Sequence, residues 1–154
     1  RKVVTVDYWT LLETTSRYDT AAQRRHAYQA AVHAYGGLFA ADLSGEWAHS
    51  TRESARRRFL EVAAALAEIE VNDHPDTALD LLERARNIEP LNEAIYRSII
   101  EIQIRTGHPD QARHTYDLLR LHLAEIDAEP EPRTRRLVHT LTTTDLATTG
   151  RRTP

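Results

Sequence analysis

Asn72-Asp73-His74-Pro75-Asp76-Thr77-Ala78 and Thr106-Gly107-His108-Pro109-Asp110-Gln111-Ala112 are near copies, and they lie 34 residues apart in a chain of 154. Each is a short turn between two stretches with helical apolar spacing, and a repeat of that length is the signature of a stacked helix-turn-helix unit. Sliding the sequence by 34 extends the match beyond the turn: Val62 falls on Tyr96, Ala65 on Ile99, Leu66 on Ile100, Ala78 on Ala112 and Leu82 on Tyr116. Core-type residues thus meet core-type residues in both helices of the unit. Pro75 and Pro109 stand where a helix begins, because a fixed φ suits the first turn and the missing N–H has no partner to lose there. His74 and His108, just before them, fall on the cap or the turn. Ala78 and Ala112 are expected where the two antiparallel helices of each unit approach most closely, since a larger side chain would wedge them apart.

Working outward, the chain reads as helical throughout. Asp7 can cap a first helix carrying Tyr8, Trp9, Leu11 and Leu12, and Thr20 can cap a second. In that second helix Ala27, Tyr28, Ala31, Val32 and Tyr35 recur at spacings of three and four, and Gly36-Gly37 ends it. Leu38 to Gly45 reads as an apolar, packed loop. The longest helix runs from near Trp47 or Ser50 to about Val71, with Ala55, Phe59, Val62, Leu66 and Ile69 on one stripe. Its first turns hold Arg52, Arg56, Arg57 and Arg58, with Glu53 placed to pair with Arg57 at i,i+4. This cluster is either a solvated face or, around Arg56, a docking patch for an acidic surface on another domain. Asn92 can cap a helix from Glu93 to Arg105, and a further helix runs from Ala112 to Ile126. The acidic link Asp127-Ala128-Glu129-Pro130-Glu131-Pro132 then breaks the pattern. Pro132 starts a short helix whose Leu137, Val138 and Leu141 can cover the end of the stack, as a terminal repeat requires. Residues 1–141 therefore form one expected domain, and the aperiodic residues 142–154 an expected disordered tail.

Composition narrows the function classes. With no cysteine, disulfides, thiolate metal sites and thiol catalysis are excluded, which suits a reducing cytoplasm. No run approaches the roughly 18 apolar residues of a membrane span. The chain begins with Arg1 and holds no methionine, so it reads as a piece of a longer protein. Of its 20 Lys and Arg and 23 Asp and Glu, nine and six fall in residues 1–60, leaving eleven and seventeen after them. Neither part is a strongly basic surface, so direct nucleic-acid binding is not expected. The eight histidines include no His-x-x-x-His pair with a glutamate between. There is no glycine-rich phosphate loop and no Gly-x-Ser-x-Gly elbow. The carboxylates of Asp127, Glu129 and Glu131 sit on a proline-bearing link where solvation is the default. Neither an enzyme nor a cofactor or metal site is expected.

The 34-residue units resemble tetratricopeptide repeats, with Val62, Ala65, Leu66, Ile69, Ala78, Leu82, Ala85 and Pro90 at the signature positions. Gln103 and Ala124 depart from that pattern in the second unit. The wider arrangement is similar to the bacterial transcriptional activator domain of actinobacterial SARP-type regulators. The resemblance covers about residues 6–141. It rests on Val6 to Leu12, on Gly36-Gly37-Leu38-Phe39-Ala40-Ala41-Asp42 followed by Trp47, on Glu89-Pro90-Leu91-Asn92-Glu93, and on Leu121 to Leu141. It implies an all-α, tetratricopeptide-like right-handed stack of antiparallel helix pairs with a C-terminal capping helix. It also implies a cytoplasmic regulatory domain making protein contacts with an adjacent domain, a dimer partner or RNA polymerase, while another domain binds DNA. The alternative is a tetratricopeptide-type scaffold of a non-regulatory, envelope-associated protein. Repeat geometry would put the first helix of each pair on the concave face. The expected partner-binding residues are therefore Glu70, beside Ala63 and Ala67, and Arg97, Glu101 and Arg105, which share one helical face as either a clamp or a salt ladder.

Overall fold

In the computed structural model, residues 20–35 and 46–139 are described, and all regular structure among them is helical. The helices are α1 (Ala21–Ala34), α2 (Glu46–Glu70), α3 (Pro75–Ile88), α4 (Glu93–Arg105) and α5 (Pro109–Ala124). A sixth, α6, is described over residues 132–139. The Asp7 cap, the Gly36-Gly37 stop, the Leu38–Gly45 loop, Leu141 and the 142–154 tail lie outside the described residues. The chain divides into two compact units inside α3, after Leu81.

In the first unit α1 pairs with α2. Thr20 starts α1 with a full capping box: its Oγ1 accepts from the Gln23 N–H at 3.2 Å, and its own N–H donates to Gln23 Oε1 at 3.1 Å. Two of the four N–H groups left over at a helix start are satisfied this way. Ala27, Ala31 and Val32 form the buried face of α1, and Ala55, Phe59, Val62 and Leu66 that of α2. At the end of α1 the Tyr35 ring stacks on Phe59 with centroids 4.4 Å apart. On the outside of α2, Glu53 pairs with Arg56 at 2.9 Å, one residue short of the expected i,i+4 partner Arg57.

In the second unit α4 pairs with α5. Tyr96, Leu119 and Leu123 form one buried cluster, with Leu118 and Ala128 packed against it. Ile100 and Ala112 form another, covered by Ile104, Tyr116, Leu137 and Val138. Each large apolar side chain so buried contributes about 1.5–3 kcal/mol. Ala112, like Ala78 in the first unit, is fully buried, as a close-approach position requires. Asn92 does occupy the residue before α4, but its amide donates to Glu89 Oε2 at 3.0 Å and makes no cap bond to the helix.

The two copied turns differ in backbone. At the end of α4 the His108 N–H reaches the Gln103 carbonyl at 2.8 Å and the Gly107 N–H reaches Ile104 at 3.1 Å, with Gly107 at φ +81°. This six-to-one and five-to-two pair is a Schellman stop, which needs a left-handed residue at its centre. At the end of α2 the matching residue is Asp73, whose φ is not positive, and the His74 N–H instead bonds Glu70 at 2.7 Å. The end of α5 repeats the Schellman pattern without glycine. There Ala128 N–H bonds Leu123 at 2.9 Å and Asp127 N–H bonds Ala124 at 3.2 Å, with Asp127 held at φ +53°. The missing proline at Ala124 is thus replaced by a left-handed aspartate.

A Cβ on Gly107 would meet nothing within 4 Å, so backbone strain alone decides the effect of a substitution there. Gly107→Ala should destabilise the protein by about 1 kcal/mol, whereas Asp73→Ala at the equivalent position should change stability by less than about 0.5 kcal/mol. Urea unfolding of the two variants measures the difference.

Candidate functional site

The charged side chains singled out in the sequence fall into two groups, one in each unit, and most are engaged within the fold. Glu70 ends α2 and is 1% exposed. The Arg25 guanidinium of α1 approaches it side-on, with Nε donating to Oε1 at 2.7 Å and Nη2 donating to Oε2. Gln29 Nε2 donates to Oε1 at 3.2 Å. His74 Nδ1 stands 2.9 Å from Arg25 Nη2 and 3.2 Å from Glu70 Oε2. As a neutral ring it accepts from the arginine, and as a charged one it can donate to the carboxylate. The hydrogen bond from Arg25 holds the Glu70 carboxyl below the usual glutamate value, against the opposing effect of burial, and the charges of Arg25 and His74 add to it. The same bond raises the Arg25 guanidinium. Glu70 was expected on an open concave face. It is instead the closed end of a clasp between α1 and α2, because a carboxylate in that position is retained only when paired.

Arg97 is also turned inward. Its side chain is 15% exposed, and Nη1 lies 3.0 Å from Glu131 Oε2, 3.2 Å from Thr134 Oγ1 and 3.6 Å from Glu93 Oε1. Glu93 in turn accepts the Glu131 backbone N–H at 2.8 Å. The expected ladder of Arg97, Glu101 and Arg105 is therefore not the arrangement Arg97 adopts: it reaches back one turn and across to the segment leading into α6. Glu101 and Arg105 are exposed along the same helix, and Arg56 is half-buried beside Glu53. Ala63 and Ala67 are buried.

Three polar contacts had no sequence signal strong enough to predict them. Tyr96 and His122 meet at 2.7 Å between Oη and Nδ1, and burial pushes the Tyr96 phenol up. Thr115 donates to Gln103 Oε1 at 2.9 Å inside the α4–α5 pair. Thr106 Oγ1 lies 3.0 Å from His108 Nδ1, so this copied histidine serves its own turn. Among the described residues no group of three His, Cys, Asp or Glu side chains is placed to hold a metal ion. Nor is any helix there long and apolar enough to cross a membrane.

These contacts describe a site for holding helices and presenting their outer faces. A family model for the bacterial transcriptional activator domain matches residues 7–142. The chain belongs to that family. Its all-helical, tetratricopeptide-like architecture is the one the family membership calls for, and the family is regulatory, associated with transcriptional activators. Searches of curated proteins and of solved structures gave no match.

The clasp has a pH signature of definite sign. Because the Glu70 carboxyl titrates lower in the fold than in the unfolded chain, its contribution is complete above the ordinary carboxylate value of about 4.3 and is lost as the pH falls through the lowered folded value. Glu70→Gln should cost about 1–3 kcal/mol at pH 7. The variant and the parent should converge in stability as the pH falls below the lowered folded value, as read by denaturant midpoints across that range.

Proposed function

We propose that this chain is the protein-contact domain of a cytoplasmic, actinobacterial-type transcriptional regulator, and that it binds no DNA itself. Its partners are an adjacent domain of the same protein, a dimer partner or RNA polymerase. The observation that carries this reading is the family match over residues 7–142, joined to helical repeats whose ionic groups serve helix packing. The charge balance supports it: net −3 over the chain offers little for a phosphate backbone.

The contact surface is best sought where charge remains on outer helix faces. Glu101 and Arg105 are exposed one and two turns beyond Arg97 on α4, and Arg56 lies among the arginines of α2. Glu70 holds α1 on α2 in the first unit, and Arg97 holds the segment before α6 on α4 in the second. A partner reading α4 would meet a charge pair on a rigid helix, which favours specificity and encounter rate over raw affinity.

In a gel mobility assay at moderate salt this chain should leave a random-sequence duplex unshifted; tight, salt-resistant binding would overturn the proposal. In the full-length regulator, Glu101→Ala with Arg105→Ala should leave operator affinity unchanged and lower activation by RNA polymerase about tenfold in a reconstituted transcription assay, equivalent to about 1.4 kcal/mol of contact energy.

A further inference from the structure

The segment from Asp127 into α6 follows α4 along its length. Ala128 packs on the Tyr96, Leu119 and Leu123 cluster, and Pro130 is buried. Next, the Glu131 N–H is bound by Glu93, while the Glu131 carboxylate and the Thr134 hydroxyl accept from Arg97. Leu137 and Val138 then cover Ile100 and Ala112, beside Ile104 and Tyr116. Thr134 is followed at i+3 and i+4 by the aliphatic pair, so all three share one face of α6. On α4 the receiving residues Arg97, Ile100 and Ile104 are likewise spaced as one face. The two helices therefore run in the same direction, α6 lying on α4 as a peptide lies in a groove.

The grip is uneven. Ala128 and Pro130 hold the start, and Thr134 is fully buried. Beyond it, Leu137 and Val138 are only half-buried, and the Glu131 side chain that meets Arg97 is 59% exposed. An ion pair with so exposed a partner adds little, and helical stability in a folded protein comes mostly from the packing of the buried face. The α4–α5 pair beneath contains the fully buried Tyr96, Ile100, Ala112 and Leu119. Residues 131–138 can thus open locally while the pair stays formed. Opening would uncover a contiguous apolar strip with a cation at its head.

We infer that residues 131–138 are a displaceable internal ligand, and that the α4–α5 face they cover accepts a partner's short helix bearing a carboxylate six or seven residues ahead of an aliphatic pair. The occupant is defined by the resident segment: Arg97 takes the carboxylate, and Ile100, Ala112, Ile104 and Tyr116 take the aliphatic side chains. The inference rests on the protein-contact reading above but is tested apart from it. Glu101 and Arg105 would stand at the rim of the uncovered strip, within reach of the incoming helix.

The probe is a capped synthetic peptide with the sequence Pro130 to His139. Leu137→Ala with Val138→Ala loosens the resident segment in the full chain, and amide exchange at Ile100 and Leu119 reports that α4 and α5 remain folded. The peptide should bind this variant at least tenfold tighter than the parent chain, with NMR shifts at Arg97, Ile100 and Ile104. A peptide carrying Glu131→Ala and Leu137→Ala should lose at least tenfold of that affinity. Equal binding to variant and parent, or none to a folded variant, would overturn the inference. So would a concentration-dependent dimer of the variant that ignores the peptide, since the face would then take a second copy. If the double variant does not fold, Val138→Ala alone loosens the segment at its half-buried end and is read by the same titration. Failure here leaves the polymerase assay with Glu101 and Arg105 standing on its own.

Discussion

Two helices joined by a tight turn can lie side by side only if the carbonyls at the end of the first are satisfied as the chain reverses. Both repeats depend on that reversal, and the two copied turns make it in different ways. At Gly107 a left-handed residue lets two N–H groups fold back onto Gln103 and Ile104. At Asp73 φ is not positive, and the Asp73 and His74 N–H groups both close onto the Glu70 carbonyl, at 3.1 and 2.7 Å. In each case the proline that follows starts the next helix in register, so Ala78 and Ala112 arrive as the small residues at the crossing. Nearly the same heptad thus ends two helices through different hydrogen bonds.

The periodic part of this architecture was legible in the sequence. Helix starts at Thr20, Pro75, Pro109 and Pro132 follow from capping chemistry and proline's fixed φ, and the stripe from Ala55 to Leu66 follows from 3.6-residue spacing. These are local facts, decided within a turn or two. Contacts joining distant residues were not legible. Arg25 meets Glu70 across 45 residues and Arg97 meets Glu131 across 34. An arginine has the same sequence environment whether it faces water or a distant carboxylate. For Arg97 the i,i+4 neighbour Glu101 offered a local partner, yet Nη1 turns to Glu131 and Thr134, with the Glu93 carboxylate at 3.6 Å. The burial of Glu70 left a faint trace: it is the charged residue beside Ala63 and Ala67 on a face otherwise small and apolar.

The placement of charge bears on what the domain does. Glu70 and Glu131 are used as fasteners, matched by Arg25 across α1 and α2 and by Arg97 between α4 and the segment before α6. Such groups gain fixed position and lose availability. What remains outside is a set of rigid helix faces, with Glu101 and Arg105 displayed on one of them.

The hydrogen bond between Gln103 and Thr115 lies buried inside a largely apolar pair. Thirty-four residues earlier the same positions hold Ile69 and Leu81. A chain built from near copies can pair the wrong copies while folding, because the apolar stripes of both units are alike. Placing α4 against the first copy's partner, or α5 against α2, would set the glutamine or the threonine against a hydrocarbon side chain, stranding a buried polar group at about 1–3 kcal/mol. One polar pair, present in one repeat and absent from the other, thus works as an address by which each helix recognises its own neighbour.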